Sequence, residues 1–148
     1  MIRYIQEGDI LKAKAEVIVC SVTTAGAMAQ GLSAQVANAY PDVELEYQAA
    51  LQQGNLDIGK LWAVQPKGAS YVVVLFPTSK EASRLSNLEF IVQGLDALRE
   101  LILSHGWGSI AMPKLGTGVG GLEWAQVKEA IVKTSLNGLE KVEVQIYE

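Results

Sequence analysis

The chain has 148 residues, 49% of them hydrophobic, and this size suits one domain over residues 1–148 better than two separate cores. Its single cysteine, Cys20, excludes an intramolecular disulfide and a metal cluster built on thiolates, and we expect neither a metal nor a cofactor. Twelve basic against sixteen acidic residues give a net charge of −4 without a clustered basic run, which disfavours an extended nucleic-acid surface.

No apolar stretch approaches the roughly 18 to 20 residues that a membrane span needs, so we expect a cytoplasmic protein without a membrane partner. Short apolar runs predict about six strands instead, at 2–6, 16–20, 60–64, 71–76, 109–112 and 142–146. The runs 16–20 and 71–76 are rich in β-branched residues, which is typical of strands buried on both faces in the middle of a sheet. The run 142–146 alternates with period two, which predicts a place nearer an edge.

Helical patterns separate these runs. One apolar stripe at steps of three and four predicts a helix with Ser86 or Asn87 as N-cap; its members are Leu88, Ile91, Leu95, Leu98 and Ile102. Further helices are predicted at 32–40, 43–53 and 124–131. Because strands and helices alternate along the chain, we predict an α/β fold with a mixed, mostly parallel six-stranded sheet and helices on both faces.

Residues 23–31 form the first candidate for a functional loop, because they follow a predicted central strand and enter a helix. In α/β sheets ligands bind at the carboxyl ends of the strands, where the N–H groups that open a helix attract phosphate oxygens. Gly26 and Gly31, with alanines between them, leave room for such an approach. Taken alone, this loop is equally consistent with glycines that serve only turning and close packing.

Residues 113–124 form the second candidate, again between a strand and a helix. Four glycines lie here, Gly116, Gly118, Gly120 and Gly121, whereas a simple reversal needs one or two. Backbone N–H groups that cradle an anion explain them better. Three of them match the G-x-G-x-x-G pattern of dinucleotide-binding folds, but that pattern belongs to a first βαβ unit, and here only one helix and one strand follow.

Together with the opening Gly8-Asp9-Ile10, the two loops resemble the macro domain family over nearly the whole chain. The closest resemblance is to the branch of DNA ADP-ribosyl glycohydrolase antitoxins and of terminal ADP-ribose hydrolases that act on glutamate-linked modifications. Residues 23–32 are similar to that branch's first loop, approximately N-T-V-G-V-M-G-K-G-I, and 76–78 read F-P-T as it does. Residues 116–124 are similar to its G-x-G-x-G-G-L-D/E-W, the most specific of these motifs.

The resemblance implies a three-layer sandwich that binds ADP-ribose or an ADP-ribosylated macromolecule. It implies that Asp9 hydrogen-bonds the adenine amino group while Ile10 packs nearby, that the first loop holds the distal ribose and the diphosphate, and that the second loop clasps the diphosphate. The ligand-binding residues that it implies are Asp9, Ile10, Thr23, Thr24, Gly26, Ala27, Met28, Gly31, Thr78, Gly116, Thr117, Gly118, Val119, Gly120, Gly121 and Leu122.

The chain departs from this branch at the ribose end. The branch's ribose-facing asparagine falls on Thr23, its catalytic lysine falls on Ser79, and an acidic residue of some relatives falls near Gly120. A neutral hydroxyl is a poor base and a poor nucleophile unless a His or Lys activates it. Lys80 stands one position along, although neighbouring side chains in an extended strand point to opposite sides. The candidate catalytic residues are therefore Ser79 and Lys80, with Glu81, Ser83 and Arg84 as further candidates for substrate contact.

Three functions stay open at this point. A domain that recognises free or macromolecule-linked ADP-ribose without efficient turnover is favoured by the changes at Thr23 and Ser79. A glycohydrolase that removes ADP-ribose from modified DNA or protein is favoured by the complete glycine loops and by the nearness of Lys80. A receptor for another adenine nucleotide signal is the third. The sequence makes no prediction of the oligomeric state.

Overall fold

The computed structural model describes residues 1–80, 86–118, 120–133 and 135–148, the last range without the side chains of residues 135 and 137. The strands are β1 (Ile2–Ile5), β2 (Val17–Thr23), β3 (Trp62–Val64), β4 (Val72–Ser79), β5 (Ser109–Pro113) and β6 (Glu143–Tyr147). The α-helices are α1 (Gly31–Ala39), α2 (Pro41–Gln52), α3 (Leu88–His105) and α4 (Trp124–Lys133). Short 3-10 helices cover Ile10–Lys12 and Ser135–Gly138.

The six strands form one sheet in the order β1-β6-β5-β2-β4-β3. Every neighbouring pair is parallel except β3 with β4, which confirms the predicted mixed, mostly parallel sheet. In the centre, Val17 of β2 pairs with Ile110 of β5 and with Val72 of β4. Because parallel strands end at one edge of a sheet, the loops after β2, β4 and β5 leave the sheet side by side.

Helices cover both faces of the sheet and complete a three-layer sandwich, as predicted. Helices α1 and α2 pack on one face, against a core that includes Ile18 and Cys20, while α3 and α4 pack on the other, against Val17 and Val19. Alternate residues of β2 thus enter opposite cores, and all four are fully buried. None of the helices in the described ranges is long and apolar enough to cross a membrane.

Helix α3 follows the sequence pattern closely. The Asn87 side chain accepts a hydrogen bond from Glu89 N at 2.9 Å and caps the start of the helix, and Gly106, with a left-handed φ of 68°, is the C-cap after its last residue. Where α3 crosses β4, a Cβ on Gly94 would lie 2.2 Å from Cζ of Phe76. Gly94 therefore allows a closer approach of helix and strand than any larger residue would permit.

Two strands differ in detail from their prediction. Strand β6 lies next to the edge strand β1, nearer an edge than β2 as predicted, but its three middle residues are all buried. The alternation of apolar and polar residues in β6 comes from Gln145, which is polar but buried. Its burial is possible because its amide donates hydrogen bonds to Lys14 O at 3.4 Å and to the Glu143 carboxylate at 3.3 Å. Strand β4 continues past Phe76 to Ser79, and its Pro77 is tolerated because β3 pairs only with Val73–Leu75.

Candidate functional site

A cleft opens at the carboxyl edge of β5, β2 and β4, where the two glycine-bearing loops leave the sheet. It has a volume of about 270 Å³, and a second pocket of about 280 Å³ adjoins it. Leu32 lines both pockets, and the adjacent residues Pro113 and Lys114 line one each. Either pocket is smaller than the roughly 300–1,000 Å³ usual for ligand sites, whereas the two together fall within that range. The site therefore suits an elongated ligand with two parts.

Helix α2 holds the first glycine loop, residues 24–30, from behind. The Tyr47 hydroxyl accepts a hydrogen bond from Gly26 N at 3.1 Å and donates one to Thr23 O at 2.7 Å. One turn away, the Glu44 carboxylate accepts a hydrogen bond from Met28 N at 3.0 Å. Tyr47 is fully buried and the Met28 side chain lies in the same core. The shape of the loop is therefore fixed by core contacts.

Several N–H groups of the first glycine loop remain available to a ligand. Ala27, Ala29 and Gln30 line the cleft, and within the described ranges their N–H groups make no hydrogen bond. Helix α1 begins at Gly31 with no side chain capping its first N–H groups and no acidic residue in its first turn. A helix start of this kind attracts anions. This loop thus presents hydrogen-bond donors and partial positive charge to the cleft.

The second glycine loop, residues 114–123, folds back on itself. Leu122 N donates a hydrogen bond to Gly116 O at 3.0 Å, and Gly121 N donates one to Gly118 O at 3.1 Å. Gly116 and Gly121 have left-handed φ values of 74° and 73°. A Cβ on Gly120 would lie 2.5 Å from Gly116 O. Folding of the loop therefore requires three of its four glycines.

Gly118 is the exception in this loop. Its φ lies outside the left-handed region, and a Cβ on it would meet no atom of the described residues within 4 Å. The residue is exposed and lines the cleft. Neither the turn nor the packing requires a glycine at this position. A ligand that comes close to the backbone would explain the glycine at position 118, which folding does not.

The two candidate catalytic residues point to different places. Ser79 ends β4, pairs with Thr23 of β2 and lines the cleft, where it is 5% exposed. The Lys80 amine instead lies over the Phe90 ring, 5.8 Å from its centroid, and Lys80 does not line the cleft. Thr24 Oγ1 donates a hydrogen bond to Lys80 O at 2.8 Å and holds the backbone in this position. Alternation along the strand explains why consecutive side chains separate in this way.

Asp9 and Ile10 line the second pocket. Asp9 Oδ1 accepts a hydrogen bond from Leu11 N at 3.0 Å and caps the short 3-10 helix, while Oδ2 has no hydrogen bond within the described part of the chain. The Tyr71 hydroxyl supports this segment by donating to Leu11 O at 3.1 Å. Burial and the Tyr40 hydroxyl at 2.9 Å raise the pKa of Tyr71, so it keeps its proton and remains a donor.

Apart from Asp9 and Ile10 in the second pocket, the predicted site residues fall into three groups. Those that line the main cleft are Thr23, Ala27, Gly31, Thr78, Ser79, Gly116, Gly118 and Gly120. Those that line neither pocket are Thr24, Gly26, Met28, Lys80, Thr117, Gly121 and Leu122. The predicted residues Val119, Glu81, Ser83 and Arg84 lie outside the described ranges.

The residues that line neither pocket are engaged within the protein. The Thr117 hydroxyl, for example, donates to Lys114 O at 2.8 Å, as the Thr24 hydroxyl does to Lys80 O. The N–H groups of Gly26, Gly121 and Leu122 are likewise bonded to protein oxygens. These residues shape the two loops, and direct ligand contact by them stays a prediction.

Sequence reasoning missed several residues that line the main cleft, namely Ser21, Val22, Ala29, Gln30, Leu32, Ser33 and Lys114. The first two were missed because β2 was predicted to end at Cys20, three residues before its observed end. Lys114 carried a usable signal, since it is the first residue after β5 at the edge where ligands of α/β sheets bind. Lys114 is also the one charged side chain among the described residues of this cleft.

The described residues contain no group of three or more His, Cys, Asp or Glu side chains able to hold a metal ion. Cys20 is fully buried, and this burial raises the pKa of its thiol to about 12. The thiol therefore stays protonated at neutral pH and belongs to the core, as the sequence indicated.

The fold and the two joined pockets define an α/β domain with a cleft at the carboxyl edge of its sheet. The family model described as Macro domain matches residues 19–131, and the chain belongs to the macro domain family. The prediction of the family from the loop motifs is thereby confirmed.

Curated relatives extend this result. A protein named DNA ADP-ribosyl glycohydrolase from Thermus aquaticus is 36% identical over 150 residues, and one from Mycobacterium tuberculosis is 35% identical over 143 residues. The alignments take in 100% and 95% of this chain but only 41% and 40% of the relatives. The chain thus spans about two fifths of the length of the relatives that it matches.

Solved structures agree in fold. The macrodomain of Thermus aquaticus DarG matches with a TM-score of 0.92 at 36% identity, covering 100% of this chain and 98% of that one. The structure titled Thermosipho africanus DarTG in complex with ADP-ribose matches with a TM-score of 0.88 at 32% identity, covering 95% of this chain and 40% of that one.

Proposed function

We propose that this chain is an ADP-ribose-binding domain whose ligand lies across the two joined pockets. The adenine occupies the pocket lined by Asp9 and Ile10, the diphosphate lies between the two glycine loops, and the distal ribose reaches Thr23 and Ser79. The observation that carries this proposal is the exposed and unstrained Gly118, because folding does not explain why this position has no side chain. The solved relative titled as a complex with ADP-ribose supports the same ligand class.

The chemistry of the two pockets agrees with such a ligand. Asp9 Oδ2 offers an acceptor for the exocyclic amine of adenine. The N–H groups of Ala27, Ala29 and Gln30, together with the uncapped start of α1, offer donors to phosphate oxygens. The hydroxyl side chains of Thr23 and Ser79 can exchange hydrogen bonds with ribose hydroxyls.

Removal of ADP-ribose from DNA is the second candidate function. The relatives named DNA ADP-ribosyl glycohydrolase favour it, since the alignment with the one from Thermus aquaticus covers the whole of this chain. Deglycosylation needs a base or a nucleophile near C1 of the distal ribose. Ser79 is neutral and the Lys80 amine lies over Phe90, so we expect slow release or none.

Calorimetric titration with ADP-ribose tests the binding proposal. Binding with one-to-one stoichiometry is expected, with weaker binding of AMP and of adenosine. Gly118→Val serves as the variant with a blocked cleft. Lys141→Met serves as a surface control, because Lys141 lies just before the amino end of β6, whereas the cleft lies at the carboxyl ends of the strands. Failure of the wild-type protein to bind ADP-ribose, or tighter binding of another adenine nucleotide, contradicts the proposal.

Incubation with modified substrates then separates binding from turnover. An ADP-ribosylated oligonucleotide and an ADP-ribosylated protein are mixed with the same preparation, and released ADP-ribose is measured by chromatography. Binding without release defines a recognition domain. Release that is abolished in Ser79→Ala but retained in Lys80→Met places the reaction at Ser79, and the reverse pattern places it at Lys80.

A further inference from the structure

We propose that Lys114 is a specificity-determining residue that contacts the diphosphate of the ligand and orients it in the cleft. This inference rests on the proposed function, because it names a further contact in the same site. Lys114 stands directly after Pro113, the last residue of β5, and its side chain is exposed.

The position of Lys114 is the first argument. Pro113 lines the second pocket and Lys114 lines the main cleft, while Leu32 lines both. Lys114 and Leu32 therefore mark the junction of the two pockets. A ligand with one nucleoside-like part in each pocket has its linking group at that junction. In ADP-ribose the linking group is the diphosphate.

The distribution of charge is the second argument. Within the described residues that line the two pockets, Lys114 is the one cation, and the acidic residues are Asp9 and Glu148, both in the lining of the second pocket. The Trp124 indole N–H donates to Glu148 Oε2 at 2.6 Å and lowers the pKa of that carboxyl, which keeps it ionised. Lys128 pairs with Glu148 at 3.6 Å, so Asp9 is the carboxylate that favours the amine-bearing base of the ligand, whereas Lys114 attracts its phosphates.

The freedom of the Lys114 side chain is the third argument. Its carbonyl accepts hydrogen bonds from Thr117 N at 3.4 Å and from the Thr117 hydroxyl at 2.8 Å, so the backbone is fixed. No ion pair engages its amine among the residues that the structure describes. A long side chain on a fixed backbone can thus reach the anion without breaking a salt bridge to any of the described residues.

Three variants test the contact by calorimetry at low and at moderate ionic strength. Lys114→Met is expected to weaken ADP-ribose binding about tenfold, the equivalent of one charge-assisted contact, and to leave adenosine binding unchanged. Lys114→Arg should retain most of the affinity, and Lys141→Met, which changes the net charge equally, should match wild type. The affinity of wild type should fall more steeply with salt than that of Lys114→Met.

An ADP-ribosylated oligonucleotide distinguishes the two sources of phosphate. A contact with the diphosphate predicts the same loss for Lys114→Met with free ADP-ribose and with the oligonucleotide. Loss with the oligonucleotide alone would assign Lys114 to the DNA phosphodiester and overturn the proposal. Equal losses for ADP-ribose and adenosine, or an ADP-ribose affinity within twofold of wild type, would also overturn it.

Inorganic pyrophosphate separates this inference from the proposed function. Its binding is followed by phosphorus NMR in wild type and in Lys114→Met. Pyrophosphate binding that needs Lys114, without any binding of ADP-ribose, would leave the anion contact standing and defeat the proposed function. Wild-type protein that binds neither compound defeats both.

Discussion

Replacing Gly118 with valine separates the demands of folding from those of binding in the second glycine loop. A Cβ at this position meets nothing within 4 Å in the part of the chain that the structure describes, and the backbone is not left-handed. The folded protein should therefore accept the side chain. Loss of a glycine also lowers the conformational entropy of the unfolded chain, so the free energy of unfolding should change by no more than about 1 kcal/mol.

The effect of Gly118→Val on binding should be much larger. The new side chain projects into the cleft, where the diphosphate is proposed to lie close to the backbone. Loss of one hydrogen bond between a backbone N–H and a charged oxygen costs about 1.5–3 kcal/mol. The dissociation constant for ADP-ribose should therefore rise roughly 10- to 150-fold.

Two measurements on each variant make this prediction specific. Urea unfolding gives the stability and calorimetric titration gives the affinity. Gly120→Ala is the matched control, because its Cβ would lie 2.5 Å from Gly116 O and 2.9 Å from Cβ of Ser86, so both stability and affinity should fall. The reasoning is refuted if Gly118→Val binds ADP-ribose as wild type does, or if it loses as much stability as Gly120→Ala.

Three further predictions concern the support of the site and its core. Tyr47→Phe leaves Gly26 N and Thr23 O without their buried partner, so urea unfolding should show a loss of about 1–3 kcal/mol; a loss below about 0.5 kcal/mol would contradict this. Gly94→Ala forces the Phe76 ring to move and should cost about 1–3 kcal/mol in the same assay, whereas an unchanged midpoint would disprove the close contact. Because burial raises the pKa of Cys20 to about 12, iodoacetamide at pH 8 should label it only after unfolding, and rapid labelling of the native protein would count against that burial.

Most of the fold could be predicted because its elements carry strong local signals. The stripe of α3, its Asn87 cap and the continuous apolar run of β2 each specify one structure on their own. The burial of β6 could not be predicted in this way. Its polar Gln145 mimics an exposed face, and only the tertiary contacts with Lys14 O and Glu143 reveal that it is buried.

The candidate site was predictable where backbone conformation defines it. Glycines at left-handed positions, such as Gly26 and Gly116, mark the two loops directly in the sequence. Side chains supplied from other elements gave no such signal. Glu44 and Tyr47 are an ordinary pair on an amphipathic helix, and their hold on the first glycine loop depends on how α2 packs.

The proposed binding mode and the alternative of turnover depend on different groups. The proposed contacts to adenine and diphosphate come from Asp9, from Lys114 and from N–H groups that the glycines and the buried Tyr47 fix through the backbone, so they do not depend on the side chains at the ribose end. Turnover needs one particular side chain beside the distal ribose. The Lys80 amine lies over Phe90 and outside the cleft, so bringing it to the distal ribose requires another side-chain conformation and works against the alternation that follows Ser79. A chain with these loops can thus retain ADP-ribose binding after the residues that drive hydrolysis have changed.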